Sequence, residues 1–181
     1  MQNNGMKCAV DNDTRGAEGT GYIITGYEGI KYAADKGCAV INCSWGGGGG
    51  QFEQDVITYA TINKNSLVVC AAGNNSSSGT FYPAGYKYVL SVASTNSSDI
   101  KSSFSNYGSS IDVCAPGSSI YSTLWNNSYA SFDGTSMASP IAAGTCAIVK
   151  SQFPSYNALQ VGEKVRVTSD NIDGIQSDFC R

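Results

Sequence analysis

The chain has 181 residues, of which 41% are hydrophobic and 14% are charged, and its formal net charge is −3. This length fits one domain, and a charged share well below the usual value of about 25% excludes a charge-rich disordered tail or a coiled coil. The acidic balance argues against a nucleic-acid surface. The longest apolar runs fall far short of the roughly 20 residues that span a bilayer. The chain contains no histidine, so it supplies no imidazole as a base or a metal ligand.

Apolar periodicity predicts strands that alternate with helices along the chain. Because the predicted strands are apolar throughout, we expect a mostly parallel sheet with helices on both faces, which is a three-layer α/β/α fold. The predicted strands are residues 6–10, 39–44, 67–71, 88–93 and 111–115, and the predicted helices are residues 20–36, 52–64, 136–151 and 155–168.

Gly- and Ser-rich segments follow three of these strands at their carboxyl ends. Ligands bind outside the carboxyl ends of the strands in parallel sheets, but such segments are also ordinary tight turns. The pattern alone favours neither interpretation. The three segments are Ser44-Trp45-Gly46, Ala72-Gly73-Asn74 and Ala115-Pro116-Gly117.

The seven cysteines are an odd number, so at least one is unpaired within the chain. Four of them stand in apolar surroundings, where cysteine behaves as a small core residue; these are Cys43, Cys70, Cys114 and Cys146. Without a C-x-x-C pair or a histidine, a zinc site is disfavoured. Structural thiols are therefore favoured over a disulfide framework, although a Cys38–Cys43 disulfide and the redox compartment stay open.

The segment 134–140 reads Gly-Thr-Ser-Met-Ala-Ser-Pro. It resembles the nucleophile motif of the subtilisin-like serine proteases (subtilases, peptidase S8) at all seven positions. Segments 40–47, 68–74, 104–108 and 112–117 follow the order of the same family, and the resemblance runs from about residue 7 to about residue 172. A lone serine at a helix start is often an N-cap, and a lone asparagine after a strand is often a turn residue. The shared order favours the catalytic interpretation.

The resemblance implies a role for each site residue. Ser136 is the expected nucleophile in the first turn of a helix, where free N–H groups and the positive end of the helix dipole favour an anion. Its backbone N–H and the side-chain amide of Asn74 are expected to bind the oxyanion. Gly134 and Thr135 form the tight entry to the helix. The expected walls of the pocket for the residue before the scissile bond are Ser44, Trp45, Gly46, Ala71, Ala72 and Gly73.

Two features of this cleft are expected from its small side chains. The exposed backbone of the two wall segments could pair with an extended substrate peptide by β-augmentation. The large side chain of Trp45 either shapes the pocket or packs inward, and the sequence leaves both alternatives open.

A working triad also needs a base and a carboxylate that orients it. In subtilases the chain order is Asp, His, Ser, and neither upstream motif is present. Asp11 and Asp13 are expected in a solvated loop and do not replace the triad carboxylate. We therefore expect residues 1–181 to be a partial peptidase S8 catalytic domain, incomplete at both ends, whose Asp and His lie upstream of Met1 or on a separate chain. The sheet is expected to show either a gap beside residues 6–10 or direct pairing of that strand with residues 39–44.

The expected function is that of a serine endopeptidase that hydrolyses peptide bonds through an acyl-enzyme on Ser136 and is inactive as an isolated chain. The alternative is a catalytically dead module that binds peptides or a partner chain. The expected partner is a peptide or protein substrate, with no nucleic acid and no membrane. No cofactor is expected; calcium is implied by the family alone, and no carboxylate cluster identifies a site. The resemblance alone implies a secreted or cell-surface location. The residues after Met1 show no signal peptide that would support it.

Overall fold

The computed structural model describes residues 25–124 and 127–172. Four parallel strands form one sheet in sequential order, and two antiparallel strands form a separate ribbon. The sheet contains β1 (Val40–Cys43), β2 (Leu67–Ala71), β3 (Val89–Thr95) and β4 (Val113–Pro116), and the ribbon contains β5 (Ile120–Thr123) and β6 (Tyr129–Phe132). The helices are α1 (Gly26–Asp35), α2 (Gln51–Thr58, continued by a π-helical turn at Tyr59–Asn63), α3 (Thr135–Gln152) and α4 (Ala158–Thr168).

Helices cover both faces of the sheet, as the apolar strands predicted. All five residues of β2 are buried, and its side chains alternate between the two faces because successive residues of a strand point in opposite directions. Leu67 and Val69 face α3 and α4, whereas Val68 and Cys70 face α1 and α2. The result is the predicted three-layer α/β/α fold.

The parallel register brings the carboxyl ends of the strands to one edge of the sheet. Cys43 of β1 lies beside Cys70 of β2, and Ala71 of β2 lies beside Val92 of β3. Helix α3 packs against all four strands, and three alanines on its buried face, Ala138, Ala142 and Ala143, belong to the core cluster on this side. The amino end of α3 reaches the edge at which the strands end.

Three elements differ from the sequence-based expectation. The second helix changes to π-helical pairing after Thr58, since the N–H of Lys64 reaches the carbonyl of Tyr59 at 3.0 Å. Strand β3 starts after Tyr88, whose φ is +70°, and continues to Thr95. The β5–β6 ribbon was not predicted because each of its strands has only four residues, most of them exposed.

Part of the predicted amino-terminal structure lies outside the described residues. This applies to the strand at 6–10, to the loop containing Asp11 and Asp13, and to the first residues of the helix predicted at 20–36. The expected gap beside the first strand and its pairing with residues 39–44 therefore stay predictions.

The cysteines follow the prediction in part. Cys43, Cys70 and Cys146 are buried free thiols, and burial raises the pKa of Cys146 to about 11. Because Cys43 is a free thiol, the Cys38–Cys43 disulfide is not formed. Cys114 is disulfide-bonded, so its prediction as a core thiol was wrong; it is half-buried on β4, an outer strand of the described sheet. No helix in the two described ranges is long and apolar enough to cross a membrane.

Candidate active site

Ser136 is the second residue of α3 and is half-buried at the carboxyl edge of the sheet. The turn before it is held by Gly134, whose N–H donates to the carbonyl of Gly117 at 2.8 Å, directly after β4. Gly134 has a φ of +157°, a backbone conformation that residues with a side chain rarely adopt. The first-turn N–H groups of a helix have no acceptor within the helix, so the N–H of Ser136 is available at the positive end of an 18-residue helix.

Asn74 lies in the segment that follows β2, and Thr135 fixes its orientation. The Asn74 Oδ1 atom accepts hydrogen bonds from the Thr135 N–H at 2.9 Å and from its Oγ1 hydroxyl at 2.8 Å. Thr135 is 1% exposed, and its Oγ1 accepts a further bond from the Gly73 N–H at 3.1 Å. Two donors on one amide oxygen fix the plane of the side chain and leave its Nδ2 group as the outward end.

The N–H groups of Asn74 and Ser136 border the same space beside Gly134. A Cβ placed on Gly134 would lie 3.5 Å from Asn74 Nδ2 and 3.6 Å from the backbone N of Ser136. Any side chain at position 134 would therefore occupy this space. Two fixed N–H donors around one position form the arrangement that stabilises an oxyanion.

Ser44 and Ser136 bind each other through two hydrogen bonds. The Ser136 Oγ hydroxyl donates to the Ser44 carbonyl at 3.0 Å, and the Ser44 Oγ hydroxyl donates to the Ser136 carbonyl at 2.8 Å. The Ser136 carbonyl is free to accept because Pro140, four residues later in α3, has no N–H. The acceptor of the Ser136 hydroxyl is a neutral peptide carbonyl, which is not a base.

Asn106 holds the segment on either side of Asn74, which we call the oxyanion loop (residues 72–77). Its Nδ2 donates to the Ala72 carbonyl at 2.8 Å, and its Oδ1 accepts from the N–H groups of Asn75 and Ser77 at 3.0 and 3.2 Å. Asn106 is 4% exposed. All of its side-chain bonds therefore go to the backbone of this loop.

The five-glycine loop at 46–50 follows β1 and lies against two aromatic rings. A Cβ on Gly46 would meet the ring of Phe81, and a Cβ on Gly49 would lie 2.5 Å from two ring carbons of Tyr82. Glycine at these two positions lets the backbone approach the rings closely.

The indole of Trp45 takes the inward alternative. Its ring packs edge-to-face against Tyr27 of α1, with a centroid distance of 5.2 Å, and it contacts the core between the sheet and α1. Burial raises the pKa of Tyr27, and a hydrogen bond with Tyr86 adds to the shift.

The structure joins most of the predicted site residues by direct contacts. Hydrogen bonds link Ser136 to Ser44, and Asn74 and Gly73 to Thr135, while Gly134 lies beside the Asn74 Nδ2 and the Ser136 backbone nitrogen. Ala71 and Ala72 are buried, with only 2% of their surface exposed. The sequence did not predict that Asn106 and Phe81 contact this site. Asn106 stood within the family-like segment 104–108, but Phe81 carried no recognisable signal.

The described residues contain no cluster of the side chains that most often bind metal ions. No group of three or more His, Cys, Asp or Glu side chains lies close enough to hold a metal within residues 25–124 and 127–172. Calcium also binds backbone and amide oxygens, so a calcium site stays an expectation from the family.

Comparison with known proteins relates the chain to one family of proteases. The model of the "Subtilase family" matches residues 9–179. Thermitase from Thermoactinomyces vulgaris is 46% identical over 157 residues, which cover 86% of this chain and 55% of thermitase. The thermophilic serine proteinase of Bacillus sp. (strain AK1) is 43% identical over 162 residues, 89% of this chain and 40% of that protein. A cell wall-associated protease of Bacillus subtilis is 41% identical over 144 residues, 80% of this chain and 16% of that protein.

Solved structures show the same relationship. A cold-adapted subtilisin-like serine proteinase superposes with a TM-score of 0.74 and 34% identity, covering 81% of this chain and 54% of that one. A protease from Pseudoalteromonas arctica superposes with a TM-score of 0.76 and 29% identity, covering 80% and 51%. The chain thus spans about half the length of several relatives that it matches. With a family match over residues 9–179 and these relatives, the chain belongs to the subtilase family.

Proposed function

We propose that the protein carrying this chain is a serine endopeptidase that cleaves peptide bonds through an acyl-enzyme on Ser136. The observation that carries the proposal is the pair of N–H donors, from Asn74 and Ser136, that border one space beside Gly134. An ordinary turn or helix cap needs no second donor near the same position. The names of the relatives as proteases support the same reaction class.

The proposed reaction is acyl transfer. The Ser136 Oγ attacks the peptide carbonyl carbon, its proton passes to a base, and the carbonyl oxygen becomes an oxyanion between Asn74 Nδ2 and the Ser136 N–H. One such donor stabilises the transition state by about 3 kcal/mol, a figure that comes from subtilisin and not from this chain. Thr135 keeps Asn74 in the donating orientation.

We further propose that residues 1–181 are a partial catalytic domain and do not hydrolyse peptides by themselves. The chain has no histidine, and the Ser136 hydroxyl donates to a peptide carbonyl. Loss of the base lowers the rate by about 10⁶-fold, or roughly 8 kcal/mol, again a figure from subtilisin. The Asp and His would come from a further segment or a separate chain.

The proposed substrates are peptides or proteins bound in extended form along the Ser44–Gly46 and Ala71–Gly73 segments. We also propose a location outside the cell, at the surface or secreted. One relative is named as cell wall-associated, which supports this location.

Chemical rescue with imidazole tests the proposed reaction. We expect the purified chain to cleave a chromogenic peptide ester only when imidazole is added, because the small base takes the serine proton. Ser136→Ala should abolish the increase, and Asn74→Ala should reduce it by about 10²–10³-fold because one oxyanion donor is lost. An equal increase in the Ser136→Ala protein would show that Ser136 is not the nucleophile.

A second candidate function is a catalytically dead module that binds peptides. The bond from the Ser136 hydroxyl to the Ser44 carbonyl favours it, because the side chain has a stable partner without any base. This candidate predicts peptide binding that is unchanged by Asn74→Ala, together with no rescue by imidazole. The same protein preparations therefore distinguish the two functions.

A further inference from the structure

Given the proposed function, on which this inference rests, the family resemblance implies that the side chain before the scissile bond lies between two wall segments, residues 44–46 and 71–73. One wall is bonded to Ser136 through Ser44, and the other is bonded to Thr135 through Gly73. The gap between these walls is the pocket for that side chain.

The ring of Phe81 lies in this gap. A Cβ on Gly46 would collide with one end of the ring, 2.8 Å from Cζ, and a Cβ on Gly73 would lie 3.0 Å from Cδ1 and Cγ. The ring therefore spans the distance between the two walls. Phe81 is half-buried and belongs to none of the three core clusters of the described residues.

The neighbouring backbone holds the Phe81 ring in place. Tyr82 exchanges two backbone hydrogen bonds with Gly47, at 2.7 and 3.1 Å. The Tyr82 ring lies against the backbone of Gly49, and Pro83 is fully buried. These contacts fix the backbone directly after Phe81, and so hold the Cα from which the ring projects beside the gap.

We infer that Phe81 closes the pocket, so that the protein accepts glycine, alanine or serine before the scissile bond and excludes long or aromatic side chains. A methyl group ends at the surface of the ring, where contact is favourable. A larger side chain must displace a ring that is packed on two sides, which overpacks the site. The substrate class is therefore peptides with a small residue at this position.

Peptide aldehydes test the inference without a catalytic base. The Ser136 Oγ–H adds across the aldehyde C=O: the Oγ–C bond forms, the C=O π bond opens, and the hydroxyl proton ends on the former aldehyde oxygen. The affinity at equilibrium depends on the fit of the last side chain and not on the rate. Two acetyl-tripeptide aldehydes that differ only in their last residue, alanine or phenylalanine, are titrated against the purified chain, with the hemiacetal carbon observed by ¹³C NMR.

Substitution of Phe81 should reverse the preference between these probes. We expect the alanine aldehyde to bind the unaltered chain at least about tenfold more tightly than the phenylalanine aldehyde. In Phe81→Ala the phenylalanine aldehyde should gain about tenfold or more, and Phe81→Leu should lie between the two. Phe153→Ala is the matched control, because Phe153 follows the far end of the 18-residue α3, about 25 Å from Ser136. The Phe153→Ala protein should still bind the alanine aldehyde more tightly than the phenylalanine aldehyde.

The outcomes separate this inference from the proposed function. Equal affinities for both aldehydes in the unaltered chain, or a preference that neither Phe81→Ala nor Phe81→Leu changes, would overturn the role of Phe81 and leave Ser136 as nucleophile. No adduct with either aldehyde would overturn the role of Ser136, and the pocket with it. Circular dichroism confirms that each variant is folded before the titration.

Discussion

The side chain of Asn106 lies behind the oxyanion loop and contacts the backbone on both sides of Asn74. Its three hydrogen bonds reach Ala72, Asn75 and Ser77, and its own N–H donates to the Gly73 carbonyl at 3.0 Å. A Cβ on Gly73 would lie 2.5 Å from the Asn106 amide nitrogen, and Gly73 has a φ of +102°. Glycine at position 73 and asparagine at position 106 therefore depend on each other.

We expect Asn106→Ala to loosen the oxyanion loop and to lower the free energy of unfolding by about 3 kcal/mol. The substitution leaves the buried Ala72 carbonyl and the part-buried N–H groups of Asn75 and Ser77 without this partner, and an unpaired buried group costs roughly 1–3 kcal/mol. Denaturant titration measures the stability, and hydrogen exchange at the amides of Asn75 and Ser77 measures the loosening. Asn96→Ala is the control, because Asn96 also accepts two backbone bonds but at an exposed turn. Equal exchange rates in both variants would contradict the role of Asn106.

Residue-level motifs explain why some residues of the proposed site were predictable from the sequence and others were not. Ser136 and Asn74 stand in short segments whose order matched a known family. Asn106 stood in such a segment as well, but its role depends on the Asn75 backbone, 31 residues earlier in the chain. Phe81 has no motif, and only its position between Gly46 and Gly73 identifies it.

At the scale of elements, Pro140 within α3 links the helix to β1. An interior proline removes one helical hydrogen bond and usually destabilises a helix. Here the carbonyl released by Pro140 belongs to Ser136, and it accepts the Ser44 hydroxyl instead. Pro140 therefore allows Ser136, the proposed nucleophile, to be bonded to the segment that follows β1.

A double-mutant cycle tests the link between α3 and β1. We expect Ser44→Ala to lower the free energy of unfolding by about 1 kcal/mol, because the Ser136 carbonyl loses its donor. In a Pro140→Ala background the new N–H can donate to the same carbonyl, so Ser44→Ala should cost clearly less. Denaturant unfolding of the unaltered chain, the two single variants and the double variant gives the coupling free energy between positions 44 and 140. An equal cost of Ser44→Ala in both backgrounds would show that Pro140 does not control this bond.

The element pattern was largely readable from the sequence. The strand predicted at 67–71 coincides with β2, and the predicted final helices overlap α3 and α4. Apolar runs of this kind identify buried strands because both faces of the sheet are covered. The β5–β6 ribbon has no such covered face, and its stacked Tyr121 and Tyr129 rings are 69% and 59% exposed. Its strands therefore lack the long, continuous apolar run that identifies the strands of the parallel sheet.

At the scale of the whole molecule, one half-buried carboxyl group affects stability. The Asp112 Oδ2 atom accepts hydrogen bonds from the Ser91 N–H at 2.8 Å and from the Ser91 Oγ hydroxyl at 3.0 Å. Burial raises the pKa of Asp112, although these bonds and the charge of Arg166 oppose the shift and Glu163 adds slightly to it. The folded chain therefore binds the proton more tightly than the unfolded chain. Ionisation of Asp112 lowers the free energy of unfolding as the pH rises from the ordinary aspartate pKa through the raised one.

We expect Asp112→Asn to be more favourable to stability at neutral pH than at acidic pH. The free energy of unfolding of Asp112→Asn, relative to the unaltered chain, should increase with pH across that range and then level off. Denaturant unfolding at a series of pH values from about 3 to 7 measures the difference. Asp99→Asn, at an exposed turn, controls for removal of a negative charge. A difference that falls with increasing pH would contradict the direction of the shift.

The sequence by itself determined the family resemblance, the alternation of strands and helices, and the lack of an imidazole in this chain. These properties reside in residue identity and in local order, which need no folding to be read. The tertiary structure decided how the site is held: Ser44 against Ser136, 92 residues apart, Thr135 on Asn74, and Phe81 between two glycine walls. Such contacts join distant segments through packing and hydrogen-bond geometry, and no local periodicity encodes them.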